Sequence, residues 1–193
     1  MLLVDACTAE DLNLVIHHLY GLNQLIIREA GARDIWSDGV FAWNYIVPVL
    51  YNMLSTNYQL PSPLALRAGA MLYIAAIRRR FRVRFLTHAQ IRNLKNSMTL
   101  LLTEIEPVGY DPSILLWLLV LGSTLSSLKE DHEWFVSQTA QHIVIMGYSS
   151  WDEVMGKYIQ KVLWIDELVV SEREALRQEL STIIWNSYGR EFS

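Results

Sequence analysis

Five histidines (His17, His18, His88, His132 and His142) and one cysteine, Cys7, have the most direct claim to metal or nucleophilic chemistry in this chain. Metal-assisted hydrolysis on a helix needs two histidines one turn apart with a glutamate beside the first, so that both ligands share a face with a base between them. His132-Glu133 has no histidine four residues on, and His142 lies ten residues away on a different face. There is no Glu-x-x-His pair for a carboxylate-bridged di-iron bundle. A single cysteine excludes an internal disulfide and a cysteine-rich zinc site. The histidines read instead as polar helix ends, and in the case of His142 as the flank of an apolar face.

The carboxylates are no more promising. Asp-Asp-x-x-Asp, the magnesium motif of prenyl chemistry, is absent, and the nearest cluster, Glu130-Asp131-His132-Glu133, opens a helix where acids complement the dipole. Glu104 and Glu106 flank a helix end before Pro107, with no partner for acid–base work. Gly-x-Ser-x-Gly elbows, phosphate-binding glycine loops and dinucleotide fingerprints are also missing. The expectation is a protein without catalytic residues, metal or cofactor.

One charge feature is concentrated: Arg78-Arg79-Arg80-Phe81-Arg82-Val83-Arg84, five arginines in seven residues. Such a run can bind phosphate, address a protein to the nucleus or meet an acidic partner. It can equally be positive charge placed at a helix C-terminus, running into a solvated loop. The chain around it carries a net charge of −4, which argues against a general nucleic-acid footprint. Sequence-specific DNA binding is not expected.

These residues must be positioned by helices. With 193 residues the chain is most simply one domain, 1–193, since a single core commonly serves roughly 100–200 residues. Apolar residues make up 52% and the mean hydropathy is +0.19, somewhat above the usual ~45–50% apolar. Apolar surface left over can meet a partner or absent chain. The opening Met1-Leu2-Leu3-Val4-Asp5 lacks the basic region and sustained apolar stretch of a secretory leader, and an intracellular location fits the cysteine usage. The longest apolar run, Ile114 to Leu121, is far short of the ~20 residues that span a bilayer.

Helix-start signals recur along the whole chain. Thr8 reads as the cap of a first helix carrying Leu12, Val15, Leu19, Leu22 and Ile26 at helical spacing. Ser37 or Asp38 opens a second, through Trp43, Ile46 and Val47 to Leu54, with Pro48 inside it. Ser62-Pro63 opens a third, Thr87-x-x-Gln90 boxes a fourth and Asp111-Pro112 caps a fifth. A sixth runs from about Asp131 to Met146 and stops at Gly147, and Ser150-x-x-Glu153 and Ser171-x-x-Glu174 box two more. The fold predicted is all-α, a single array of seven or eight helices. Ile114–Leu128, apolar nearly all round, is its buried central helix.

Trp117 belongs to the core because its helix is apolar nearly all round, and projection at 100° per residue places Trp151 on a core face. Trp134, Trp164 and Trp185 fall on otherwise polar faces. Those three are candidate aromatics for a protein partner, for self-association or for a pocket wall, the alternative being a second packing layer.

Several of these pieces occur in a recognisable order: Pro112, Leu115-Leu116-Trp117, Gly122, Trp134-Phe135, Ser150-Trp151-Asp152-Glu153 and Leu163-Trp164-Ile165-Asp166. Upstream, Leu72-Tyr73-Ile74 leads into a helix end of basic residues. The order resembles the regulatory region that follows the DNA-binding module of fungal transcription factors of the zinc binuclear-cluster type, over roughly Leu64 to Trp185. Ser123 stands where that family often has a second glycine and Glu133 where it has arginine, and the six-cysteine cluster is absent. The resemblance therefore implies the regulatory half only. That half is a non-enzymatic nuclear domain, a fragment or a short relative, which responds by conformational change to a partner or a small hydrophobic ligand. The alternative reading is a helical small-molecule-binding protein or an enzyme of fungal secondary metabolism.

Overall fold

The computed structural model describes residues 4–55, 61–83, 87–103, 111–148, 150–165 and 168–190, with side chains throughout except at 4–13, 55, 61–62, 161, 170 and 185–190. Among the described residues there are eight continuous helical runs and no strand, so the fold is all-α. Where length suggested one core, the chain divides into two compact units, Met1–Tyr110 and Asp111–Ser193.

The first unit begins with α1 (Val4–Ala32). Nothing from Val4 to Ala9 breaks a helix, so α1 starts before Thr8, which is an interior residue rather than a cap. The next run is α2 (Gly39–Phe41), a π turn (Ala42–Ile46) and α3 (Val47–Ser55). Pro48 brings no N–H, and its ring crowds the carbonyl four residues back. The turn ahead of it opens to wider spacing, with the Val47 N–H reaching the Ala42 carbonyl. The helical run thus continues past Pro48 by way of a wider turn.

α4 (Pro61–Arg80) starts with Pro61, just ahead of the expected Ser62-Pro63, because first-turn N–H groups have no partner to lose. From Ala65 to Ile77 nearly every one of its side chains is buried. It packs along α5 (His88–Thr103), which turns Ile91, Leu94, Met98 and Leu101 inward as the spacing requires. The Tyr73 hydroxyl donates to Asn23 Oδ1 inside this core, and burial pushes that hydroxyl's pKa up. α5 opens where Thr87 predicts, with the Ile91 N–H on the Thr87 carbonyl at 2.8 Å. Gln90 leaves the capping box unclosed, since its Oε1 is buried with no hydrogen-bond partner.

The second unit is built on α6 (Pro112–Leu125), with α7 (Lys129–Ile145), α8 (Trp151–Val154), a π turn (Met155–Ile159), α9 (Gln160–Val162) and α10 (Val170–Arg190). Asp111 caps α6 by accepting the Ser113 N–H at 2.8 Å, with Pro112 in the first turn. Residues Leu116 to Thr124 are all buried, so α6 is the central helix of this unit; α4 holds that place in the other. Gly122 lets α7 approach closely, because a Cβ there would lie 2.3 Å from Phe135 Cδ1. The polar groups buried alongside are satisfied: Ser123 Oγ donates to the Leu119 carbonyl at 2.9 Å and Thr139 Oγ1 to the Phe135 carbonyl at 2.8 Å.

α7 stops at Gly147 as expected. Its φ is +75°, the Gly147 N–H meets the Val144 carbonyl at 2.9 Å, and the Tyr148 N–H meets the Ile143 carbonyl at 3.1 Å. His132 ties this helix into its unit, with Nδ1 2.8 Å from the Ser123 carbonyl and Nε2 2.9 Å from Glu179 Oε2 on α10. Ser150 Oγ accepts the Glu153 N–H at 3.3 Å as its box predicts. Ser171 does not cap: its hydroxyl donates to the Glu172 carboxylate, and α10 begins one residue earlier. Among the described residues, no helix is long and apolar enough to cross a membrane.

Candidate functional site

The connection from α1 to α2 is short and heavily braced. Ile35 is fully buried and fixes its middle. Asp34 Oδ1 accepts the Trp36 N–H and its Oδ2 the Ser37 hydroxyl, each at 3.1 Å, and the Asp38 N–H closes on the Ile35 carbonyl at 2.9 Å. Asp38 Oδ1 then accepts the Phe41 N–H at 2.9 Å as the cap of α2. Arg33 Nη1 lies 2.7 Å from Asp38 Oδ2, and its guanidinium sits 6.0 Å from the Phe41 ring centroid. The Phe41 N–H, then Arg33, hold the Asp38 carboxyl below the usual aspartate range.

This bracing sets an aromatic row. Phe41 stacks on Phe81 at 6.0 Å and an interplanar angle of 10°, and Phe81 meets Trp36 at 5.2 Å. Arg80 places its guanidinium 5.2 Å from the Trp36 ring centroid. Phe81 and the basic run sit at the C-terminal end of α4, which closes with a double hydrogen bond: the Val83 N–H on the Arg78 carbonyl at 3.1 Å and the Arg82 N–H on the Arg79 carbonyl at 3.0 Å. That closure is the same as the one at Gly147 and needs a left-handed residue, yet the residue here is Arg82, with φ +61°.

Between these pieces lies a cleft of about 400 Å³, lined by Trp36, Trp43, Ile46, Phe81, Arg78 and Arg82 among others. The size is that of a small-molecule site, and the makeup fits one as well: mostly apolar walls with a few polar groups. Among the described lining residues there is no histidine, cysteine or carboxylate, and the only hydroxyl, that of Ser37, is already donated to Asp34. The arrangement can bind; it holds no acid–base pair or activated nucleophile. A wider groove of about 530 Å³ in the same unit is lined by Arg67, Gln90, Asn93, Asn96 and Ser97, with Leu54 and Leu100 at its apolar edges.

The basic run is thus divided by the fold. Arg78 and Arg82 line the cleft, Arg80 covers Trp36, Arg79 is exposed, and Arg84 lies outside the described residues. The tryptophans picked out by projection fall elsewhere. Trp164 is only 8% exposed, because the chain leaves the helix at Leu163 (φ −158°, ψ 117°) and a helical projection no longer applies to the next residue. Trp134 is half-buried beside Phe135, and Trp185 lies in α10 where side chains are not described. Trp151 and Trp117 are in the core as expected.

Among the described residues, the exposed aromatics are Trp43, 70% exposed, with Tyr51 and Tyr45 on the same helical run and Tyr20 on α1. Trp43 and Ile46, three residues apart, would share one face of a regular α-helix. The π turn adds a residue to the turn joining them, so Ile46 is buried while Trp43 is rotated off that face. The signal for this was Pro48, whose effect on the preceding turn a 100° projection leaves out. Among the described residues, no three His, Cys, Asp or Glu side chains gather closely enough to hold a metal ion.

No family model, curated protein or solved structure matches this chain.

Proposed function

We propose that this chain is a non-enzymatic binding domain of the regulatory kind, in which occupancy of the aromatic–arginine cleft shifts an equilibrium between masked and available surfaces. One observation carries the reading. The cleft has aromatic walls and two arginines, but none of its described lining residues is an acid, a base or an activated nucleophile. The order of tryptophan-bearing segments from Pro112 to Asp166, which resembles the regulatory region of fungal zinc-cluster transcription factors, supports transcriptional control as the setting and the nucleus as the location. Trp43 and Tyr51, both largely exposed on one helical run, support a protein partner or self-association.

Tethering tests the proposal. The full chain is fused to an unrelated DNA-binding domain, and transcription of a reporter bearing that domain's site is measured. The expected result is output different from the DNA-binding domain alone, shifted again by Trp43→Ser in the cleft wall. Identical output from the bare DNA-binding domain, the fusion and the variant fusion overturns the regulatory reading.

A further inference from the structure

We propose that the cleft between the α1–α2 connection and the C-terminal end of α4 is a site for an amphipathic organic carboxylate. Its aromatic or aliphatic body would lie against Trp36, Trp43 and Phe81, and its carboxylate would be paired with Arg82. The inference rests on the cleft being a ligand site and goes further by naming the chemistry of the occupant.

The first argument is charge. Among the described residues, two guanidinium groups line the cleft and no carboxylate does, in a chain whose overall charge is −4. Asp34 and Asp38 are the nearby carboxylates in sequence: Asp34 accepts the Trp36 N–H and the Ser37 hydroxyl, and Asp38 is held by Arg33 at 2.7 Å and by the Phe41 N–H.

The helix end is the effect that opposes this. The C-terminus of α4 presents the negative end of its dipole, about half an elementary charge, to the same space. Its carbonyls at Arg78 and Arg79 are, however, covered by the Val83 and Arg82 N–H groups. The full positive charge of Arg82, exposed on the cleft wall, outweighs what remains, so the field in the cleft favours an anion. Guanidinium also suits a carboxylate in particular, since its fork of donors can meet both oxygens at once.

The second argument is independent of charge. Arg82 occupies a left-handed position that in the equivalent closure of α7 is given to Gly147. An arginine there is strained, and strain of this kind is kept where the side chain is used. The third is shape. A cleft of about 400 Å³ with Trp43 at its edge, 70% exposed, has an apolar wall open to an incoming molecule. A bare inorganic anion would leave that wall unused.

The test uses the full chain and a matched pair of probes, biphenyl-4-carboxylate and biphenyl-4-carboxamide, which share shape and differ in charge. Binding is measured by titration calorimetry at low and physiological salt. The carboxylate should bind at least tenfold tighter than the amide, with the gap narrowing as salt rises. Arg82→Gly removes the guanidinium while relieving the backbone, so it should fold at least as well as the parent. It should nevertheless lose most of the carboxylate preference, a combination that a purely structural role for Arg82 does not produce. Trp43→Ala should weaken both probes alike. Equal affinity for the two probes overturns the carboxylate assignment and leaves the cleft as an apolar site. The absence of saturable binding by either probe removes the cleft as a small-molecule site, and with it the reading on which this inference rests.

Discussion

The indole N–H of Trp117 on α6 donates to the main-chain carbonyl of Leu163, 2.8 Å away and 46 residues further along the chain. Both residues are buried, and Leu163 is the point at which α9 has ended and the backbone has become extended. The bond therefore satisfies a carbonyl that the helix has released into the core. Trp117→Phe should cost about 1–3 kcal/mol, since it leaves that carbonyl unpaired as well as removing part of the ring. Trp117→Ala should cost about 3–5 kcal/mol through the cavity it opens. By contrast Trp43→Ala, at a mostly exposed site, should stay within about 0.5 kcal/mol. Urea midpoints of the three variants check this, and a Trp117→Phe protein as stable as the parent would show that the bond contributes nothing.

Gly122 and Phe135 set the second expectation. Alanine is the better helix former by about 1 kcal/mol, so propensity alone favours Gly122→Ala. The added Cβ would lie 2.3 Å from Cδ1 of a fully buried ring. Overpacking of this kind costs about 1–3 kcal/mol, so the net change should be destabilising. Gly122→Ala combined with Phe135→Leu should be less unstable than the two single changes added together, a coupling that a double-mutant cycle measures directly.

Asp38 gives a pH dependence with a definite sign. Its carboxyl is held below the ordinary aspartate range, first by the Phe41 N–H and then by Arg33. A group with a depressed folded pKa contributes stability at neutral pH. That contribution is lost as pH falls through the usual aspartate value, about 3.9, toward the lower folded one. Asp38→Asn keeps a capping oxygen and removes the charge. The parent should therefore exceed the variant in thermal midpoint at pH 7, with the gap closing below about pH 4. A gap that stays constant from pH 7 to pH 3 would mean that the charge plays no part.

The elements whose ends were written in local chemistry were legible from the sequence. Asp111-Pro112, Gly147 and Ser150 do what their residue types require, because a cap depends on three or four neighbours and nothing distant. Thr8 and Ser171 failed because a good capping residue can also sit inside a helix when nothing upstream stops the helix from forming. The site was legible by half. The basic run was visible as charge, but the aromatics beside it were not, since Trp36 is placed by a turn and Trp43 by a π turn that a 100° projection ignores. Trp164 was misplaced for the related reason that projection was carried past the end of α9.

The two left-handed helix closures give a final prediction with opposite signs. Gly147 and Arg82 sit at equivalent places, each followed by a residue whose N–H reaches back five positions, to Ile143 from Tyr148 and to Arg78 from Val83. Gly147→Ala introduces a Cβ that meets no neighbour within 4 Å, so its cost is the backbone alone, about 1–2 kcal/mol. Arg82→Gly releases a similar strain but gives the unfolded chain more freedom, worth about 0.5–1 kcal/mol against it. The net should be a gain of up to about 1 kcal/mol, a rise of a few degrees in the thermal midpoint for a chain of this length. A loss of stability in Arg82→Gly would mean that the arginine's own contacts outweigh its backbone strain. The argument that Arg82 is kept at a cost, for what its guanidinium binds, would then fail while the cleft itself remained.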